Sequence, residues 1–322
     1  MRKIPAINDG LMFSGCMLLS ALVAFAIMDV QASMWAAFST LYAFNLFNAA
    51  KEYKNYLYTS FWLVMILVAI FIGDTLRLGT AFYIYLTLFS FVYYQLYGTD
   101  PVMDLTMKFM IIMSTIGTIL PDISKSLAFG FIIGSSVTLI TCYLLSKKMH
   151  RRAIITGSLV EQNLFTLRKY IIPRSMAYAI GLMLSLTIPL MLGLGHFYWT
   201  LLTFVFVLHP KSQSIIQITL QRVAGSLLSV VLLYFLFNTP LMPYIGLAAI
   251  VVFAFLMPMS FHHGYTFMTF VVTSLILSVL EQVIYWRHPA YVLLFDRILE
   301  TALGGAIAVA TSIILRLFRD AK

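Results

Sequence analysis

Charged side chains are scarce in this sequence. Asp, Glu, Lys and Arg make up 10% of its 322 residues, whereas 61% are hydrophobic. A soluble domain carries about 25% charged residues, because its surface must be compatible with water. The composition therefore excludes a sizeable soluble domain and predicts a chain that is solvated by lipid.

Cysteines and metal-binding patterns are also rare. Cys16 and Cys142 are the only cysteines, and both lie in apolar runs, where isolated thiols are most simply packing residues. No carboxylate or cysteine lies near His262 and His263 to complete a metal site. We therefore predict neither a metal nor a cofactor.

Catalytic motifs are missing as well. The sequence contains no Gly-x-x-x-x-Gly-Lys loop, no Gly-x-Ser-x-Gly elbow and no His-Glu-x-x-His helix. These absences argue against ATP use and intramembrane hydrolysis, so we predict a protein that is not an enzyme. The net charge of +9 does not indicate nucleic-acid binding, because the basic residues lie in loops between apolar segments.

Twelve continuous apolar runs dominate what is present. Lipid-exposed backbone must satisfy its own hydrogen bonds, and continuous rather than alternating apolar runs indicate helices. The predicted fold is therefore an all-α polytopic membrane protein with about twelve transmembrane helices. The predicted spans are 11–28, 34–48, 56–73, 80–97, 102–120, 126–145, 176–194, 197–208, 222–237, 240–257, 265–280 and 295–315. The second and eighth are short, and either could be a half-helix or a tilted helix.

The basic residues predict the orientation in the membrane. With the N-terminus inside, only Arg77, Lys125, Arg287 and Arg297, among 21 Lys and Arg residues, fall on the outer side. Lys and Arg near span ends favour the cytoplasmic side. We therefore predict a multi-pass protein of the cell inner membrane with both termini in the cytoplasm.

The segment 146–175 is the only extended polar stretch. Ser158 and Glu161 have capping-box spacing, and Pro173 would end the helix that they begin. An amphipathic, basic helix on the cytoplasmic membrane surface is predicted. Its simplest role is to connect and anchor two halves, and a regulatory or adaptor-docking role is the alternative.

Two parallel six-helix repeats, 1–145 and 176–322, are predicted on either side of this linker. The segment around Trp35 in the second helix resembles the segment around Trp199 in the eighth. The sixth helices also correspond through paired glycines, at 130 and 134 in one and at 304 and 305 in the other. Six spans per half make the repeats parallel, and a pathway is expected at the interface between such repeats.

The second half carries an ordered series of motifs. Tyr198-Trp199 is followed by His209-Pro210-Lys211, by Arg222-x-x-Gly-Ser, and finally by Arg297-x-x-x-Thr-x-x-Gly. This order, over about residues 176–320, resembles the fusaric acid resistance and aromatic acid exporter (FUSC-like) superfamily of inner-membrane proteins. Ser226 stands where the family usually has Thr, and the cytosolic domain of many members is replaced by about thirty linker residues.

The resemblance implies a secondary transporter that exports small organic carboxylate anions, often aromatic ones, across the inner membrane. It also implies two alternatives: plant relatives are anion channels, and some relatives work with a periplasmic adaptor (membrane fusion) protein, for which this chain could serve as a scaffold. The expected partners are small organic anions, that adaptor and the lipid bilayer, with no nucleic acid. The sequence leaves a homo-oligomer open.

The candidate site residues follow from the motifs and from the chemistry of carboxylates. A guanidinium binds a carboxylate in a bidentate manner, and aromatic side chains can stack on a ring. Candidates for substrate binding are Arg222, Trp199, Tyr198, Pro210, Lys211, Arg297, Thr301 and Trp35. Candidates for proton coupling are Glu300, Asp296 and Asp104, with Asp104 expected to pair with Lys108. Interfacial anchoring of the tryptophans and structural ion pairs are the alternatives that do not involve a substrate.

Overall fold

The architecture is entirely helical in a computed structural model of the protein, which describes residues 4–50, 56–120, 124–145, 171–210, 214–239, 242–284 and 291–320. The described residues form twelve α-helices and no strand, which confirms the predicted all-α fold. The helices are α1 (Ile4–Ile27), α2 (Val30–Ala49), α3 (Tyr56–Leu76), α4 (Thr80–Leu96), α5 (Pro101–Gly117), α6 (Lys125–Leu145), α7 (Ile172–Met191), α8 (Tyr198–Val207), α9 (Ile215–Phe237), α10 (Met242–Ser260), α11 (Tyr265–Ile284) and α12 (Tyr291–Asp320).

Seven helices in the described part of the chain are long and apolar enough to cross a membrane. They are α1, α3, α6, α7, α9, α11 and α12. Helix α8 has only 10 residues and covers about 15 Å, so it cannot span the hydrocarbon layer alone. A multi-pass membrane protein is therefore established, and the predicted shortness of the eighth helix is confirmed.

The predicted shortness of the second helix is wrong, because α2 has 20 residues and begins at Val30. Asp29 caps it: its Oδ1 accepts a hydrogen bond from the Ala32 amide at 2.7 Å. Its Oδ2 accepts another from the Ser126 hydroxyl at 2.5 Å, which ties α2 to the start of α6. These two bonds, led by the one from Ser126, lower the pKa of Asp29.

Other helices also begin earlier than predicted, and two of these, α9 and α12, carry candidate site residues. Helix α9 begins at Ile215, so Arg222 lies two turns inside it rather than at its start. Helix α12 has 30 residues and begins four residues earlier than expected. Polar side chains near these helix ends resembled loops in the sequence, although such residues are compatible with a helix near the membrane surface. The predicted linker helix lies outside the described residues, except that Pro173 sits in the first turn of α7.

The chain forms two compact units, each built from segments on both sides of the linker. Unit 1 contains Met1–Leu41, Lys125–Cys142 and Ile216–Ala302, and unit 2 contains Tyr42–Ser124, Tyr143–Ile215 and Leu303–Lys322. Compact packing and sequence repetition are different properties. The two predicted repeats, 1–145 and 176–322, therefore stay a prediction.

Unit 1 is held together by small residues and hydroxyl groups. A side chain added at Gly134 of α6 would collide with the Ala36 carbonyl and the Ser39 hydroxyl of α2. Beside this contact, the Thr40 hydroxyl is bonded to Ser20 at 3.0 Å and to Thr138 at 3.1 Å, linking α1, α2 and α6. Close approach of small residues and bonds between hydroxyls are the usual means of helix association in membranes.

Unit 2 has α5 as its most enclosed helix, with twelve of its 17 residues buried. Helix α3 packs on α5 through Gly73, which faces the Ser114 carbonyl. Helix α12 packs on α8 through Gly304, where an added side chain would collide with Thr200 and Thr203. The glycines of this unit thus mark its closest helix crossings.

Candidate functional site

Among the described residues of unit 1, four charged side chains are buried. Arg222 is 6% exposed, Arg297 2%, and Glu281 and Glu300 0%. A charge at membrane depth is costly and commonly serves function. Glu281 was not among the predicted site residues, although its place at the end of an apolar helix was a usable signal.

Arg222 is held at one end of unit 1 by Tyr265, the first residue of α11. Its Nη1 donates a hydrogen bond of 2.9 Å to the Tyr265 hydroxyl. One turn further along α9, Gly225 lets the backbone of α11 come close at Thr266 and Phe270. The guanidinium is therefore fixed by the close packing of α9 on α11.

Arg297, Glu300 and Thr301 lie within five residues of one another on α12. The Thr301 hydroxyl donates to the Arg297 carbonyl at 2.6 Å, as a buried threonine in a helix commonly does. Arg297 and Glu300 are three residues apart and share a helix face, with Asp296 half-buried four residues before Glu300. A carboxylic acid and a guanidinium thus share one face of α12.

These charges form two separate groups along α11. Tyr265 begins that helix and Glu281 lies in its last turn, sixteen residues later, which corresponds to about 24 Å. Because only 285–290 separates α11 from α12, Arg297 and Glu300 belong to the end that carries Glu281. Arg222 and Arg297 are therefore not parts of one small site.

The two tryptophans among the predicted candidates are buried, and Tyr198 is half-buried. Trp35 is 4% exposed in unit 1, and Trp199 is 3% exposed in unit 2. The Tyr198 and Trp199 rings contact each other with centroids 4.9 Å apart. An indole enclosed to this degree differs from an ordinary interfacial anchor, which keeps its polar edge in water.

Pro210 follows the end of α8 in unit 2, and the neighbouring His209 makes the notable contact there. The His209 Nδ1 lies 3.2 Å from the Tyr97 hydroxyl, and the two rings stack at 5.6 Å. Tyr97 ends α4, so this pair joins the ends of α4 and α8. Lys211 lies outside the described residues.

Asp104 makes a backbone contact instead of the predicted pair with Lys108. Both of its carboxylate oxygens accept from the Gly98 amide, at 3.0 and 2.9 Å. The Lys108 ammonium lies over the Tyr97 and Phe206 rings, 5.6 and 5.9 Å from their centroids. Asp104 and Lys108 therefore make different contacts: Asp104 fixes the turn before α5, and Lys108 contacts aromatic faces.

Apolar helices with charge buried inside them define a polytopic helical membrane protein. Over residues 176–311, the chain matches the model of the fusaric acid resistance protein-like family. The resemblance predicted from the second-half motifs is thereby confirmed. No curated protein and no solved structure matches the chain.

Proposed function

We propose that the protein is a secondary transporter that exports small organic carboxylate anions, aromatic ones among them, across the inner membrane. The observation that carries this proposal is the buried Arg222 guanidinium, fixed on Tyr265 within the family segment. A buried guanidinium held in one orientation is suited to recognise a carboxylate by two parallel hydrogen bonds. The family description, which concerns resistance, supports an efflux role.

The proposed architecture is a pair of parallel six-helix repeats. Its support is a residue-by-residue equivalence of two helix crossings. In unit 1, Gly134 of α6 faces the residues one and four positions after Trp35, and in unit 2, Gly304 of α12 faces those one and four positions after Trp199. Sixth helix packs on second helix, through a glycine, in both predicted repeats.

We further propose that both termini are cytoplasmic and that Glu300 takes part in proton coupling. The distribution of Lys and Arg along the sequence supports the orientation. Glu300 is completely buried, one turn from the buried Arg297, and this supports a role in coupling. A buried carboxylic acid can release and take up a proton when a neighbouring cation stabilises its charged form. The membrane potential and the proton gradient are the available driving forces.

Transport of labelled benzoate into inside-out proteoliposomes tests the proposal. We expect uptake that depends on a proton gradient, is lost in Arg222→Gln and is partly kept in Arg222→Lys. Arg316→Gln, an exposed arginine in α12, is the matched control and should transport normally. Benzoate current without dependence on a proton gradient would indicate a channel, and no flux across a panel of organic acids would reject transport.

A further inference from the structure

Lys108 of α5 is an unusual cation within unit 2. It lies two turns inside the most enclosed helix of that unit, and its ammonium contacts two aromatic faces, those of Tyr97 and Phe206. Both ring centroids are within the range of about 6 Å over which a cation is attracted by a ring. Tyr97 is itself held by its contact with His209, so the ring presents a fixed face.

The ammonium forms no salt bridge within 4.0 Å among the residues that the structure describes. Asp104, one turn earlier on α5, directs both carboxylate oxygens to the Gly98 amide instead. The only charged contact of Lys108 in the described chain is the longer-range attraction of that carboxylate. A cation in an apolar helix bundle is normally paired, so this site lacks the group that would complete it.

Two buried tyrosine hydroxyls lie in the same aromatic cluster. The Tyr93 ring is 5.7 Å from that of Tyr97 and 5.6 Å from that of Tyr178. Tyr93 and Tyr178 are fully buried, and within the described ranges neither hydroxyl has a hydrogen-bond partner. Buried hydroxyls are almost always satisfied, so these two also indicate a missing polar partner.

We propose that Lys108 and the surrounding rings bind an aromatic carboxylate. The carboxylate pairs with the Lys108 ammonium, the ligand ring packs against Phe206 and Tyr97, and the Tyr93 hydroxyl is available as a donor. Lys108, Tyr93 and Tyr178 can all donate a hydrogen bond, which favours an anionic ligand over a cationic one. The ligand class rests on the proposed function, whereas the site lies in residues 93–108 and Phe206, mostly outside the family segment.

A packed aromatic core with a lysine extending from it is the rival explanation. It predicts no ligand and no dependence on the carboxylate. The proposed site predicts different affinities for molecules of the same shape that differ in charge. It also predicts different affinities for acids of the same charge that differ in their ring. Benzoate, benzamide and cyclohexanecarboxylate form such a set.

Equilibrium binding of labelled benzoate to the purified full-length chain in lipid nanodiscs is the test. We expect benzoate to bind, benzamide to compete at least about tenfold more weakly because it lacks the charge, and cyclohexanecarboxylate to fall between them. Lys108→Gln should weaken benzoate binding at least about tenfold, and Lys108→Arg should restore most of it. Lys125→Gln, an exposed lysine of α6, is the matched control and should bind as the parent does.

Phe206→Leu separates the ring contact from the charge. It should weaken benzoate binding several-fold and leave cyclohexanecarboxylate binding unchanged. Because leucine is also hydrophobic, this variant keeps the proposal testable if Lys108→Gln does not fold. Equal benzoate binding by the parent and a folded Lys108→Gln overturns the proposal, and so does the absence of benzoate binding to the parent. Benzoate bound through Lys108 but not transported would reject the transporter and keep the site, whereas transport that survives Lys108→Gln would reject the site and keep the transporter.

Discussion

The Cys16 side chain of α1 lies beside the Cys142 side chain of α6. Both side chains are buried and neither is in a disulfide, so the packing role predicted for them holds, but they are neighbours rather than isolated residues. One hundred and twenty-six positions of sequence separate two thiols that meet in unit 1. Their contact offers a direct chemical check on how α1 and α6 pack.

We expect a small membrane-permeable oxidant to join Cys16 to Cys142 within one chain, because the two thiols are buried neighbours in unit 1. Peptide mass spectrometry after alkylation would detect the joined peptides. Cys142→Ser is the control and should give only alkylated Cys16. Complete alkylation of both thiols without joining in the parent would show that α1 and α6 pack differently.

The glycine crossings predict unequal effects of the same substitution. Gly134→Ala and Gly304→Ala should each destabilise the protein by about 1–3 kcal/mol, since the new methyl group would collide with the backbone of α2 or of α8. Gly15→Ala is the matched control: it lies in open space on α1, where alanine should be neutral or stabilising by about 0.5–1 kcal/mol. Thermal unfolding, followed with a dye that reacts with the buried cysteines as they become exposed, would measure these changes in stability.

Stability should depend on pH through Asp29. Because its pKa is lowered in the folded protein, its charged form stabilises the fold above the ordinary Asp pKa of about 3.9, and this contribution is lost as the pH falls through the lower folded value. Asp29→Ala should cost about 1 kcal/mol at pH 7, with the difference from the parent shrinking below about pH 4. Asp29→Asn, which keeps a capping oxygen, should cost less. A constant difference across that range would contradict the capping role.

Tyr265 should act on transport through Arg222. Tyr265→Phe removes the hydroxyl that accepts from the guanidinium, and we expect KM for benzoate to rise by up to about tenfold with a smaller change in kcat. The double variant with Arg222→Gln should be no worse than Arg222→Gln alone, since the two residues act together. Additive losses would mean that Tyr265 has a role independent of Arg222.

The helices were predictable from the sequence because their apolar runs are long and are interrupted by polar turns. Helix α11 begins at Tyr265 as predicted, directly after Gly264, whose positive φ ends the preceding turn. The start of α2 was missed, because its cap, Asp29, is recognisable only once Ser126 and the Ala32 amide are seen to bind it. The local sequence pattern locates a helix, whereas tertiary contacts decide at which residue it begins.

The candidate site was only partly predictable. The motifs identified Arg222 and Arg297. No sequence pattern shows that Tyr265 contacts Arg222, or that most of the length of α11 separates Arg222 from Arg297. Glu281 was missed because a single acid near a helix end is common on protein surfaces. Lys108 was assigned to Asp104 by spacing alone, since sequence cannot show that a backbone amide competes for that carboxylate.

The brevity of α8 affects how unit 2 can contact a polar solute. Seven of its 10 residues are buried. Hydrocarbon cannot satisfy the main-chain groups that become free where such a helix stops, so they must be enclosed by protein or reached by water. Amide dipoles at that depth are therefore tolerated only because other helices shield them. For the proposed transport, the same shielding would leave the main chain directly after Val207 able to offer oriented partial charges to an anion.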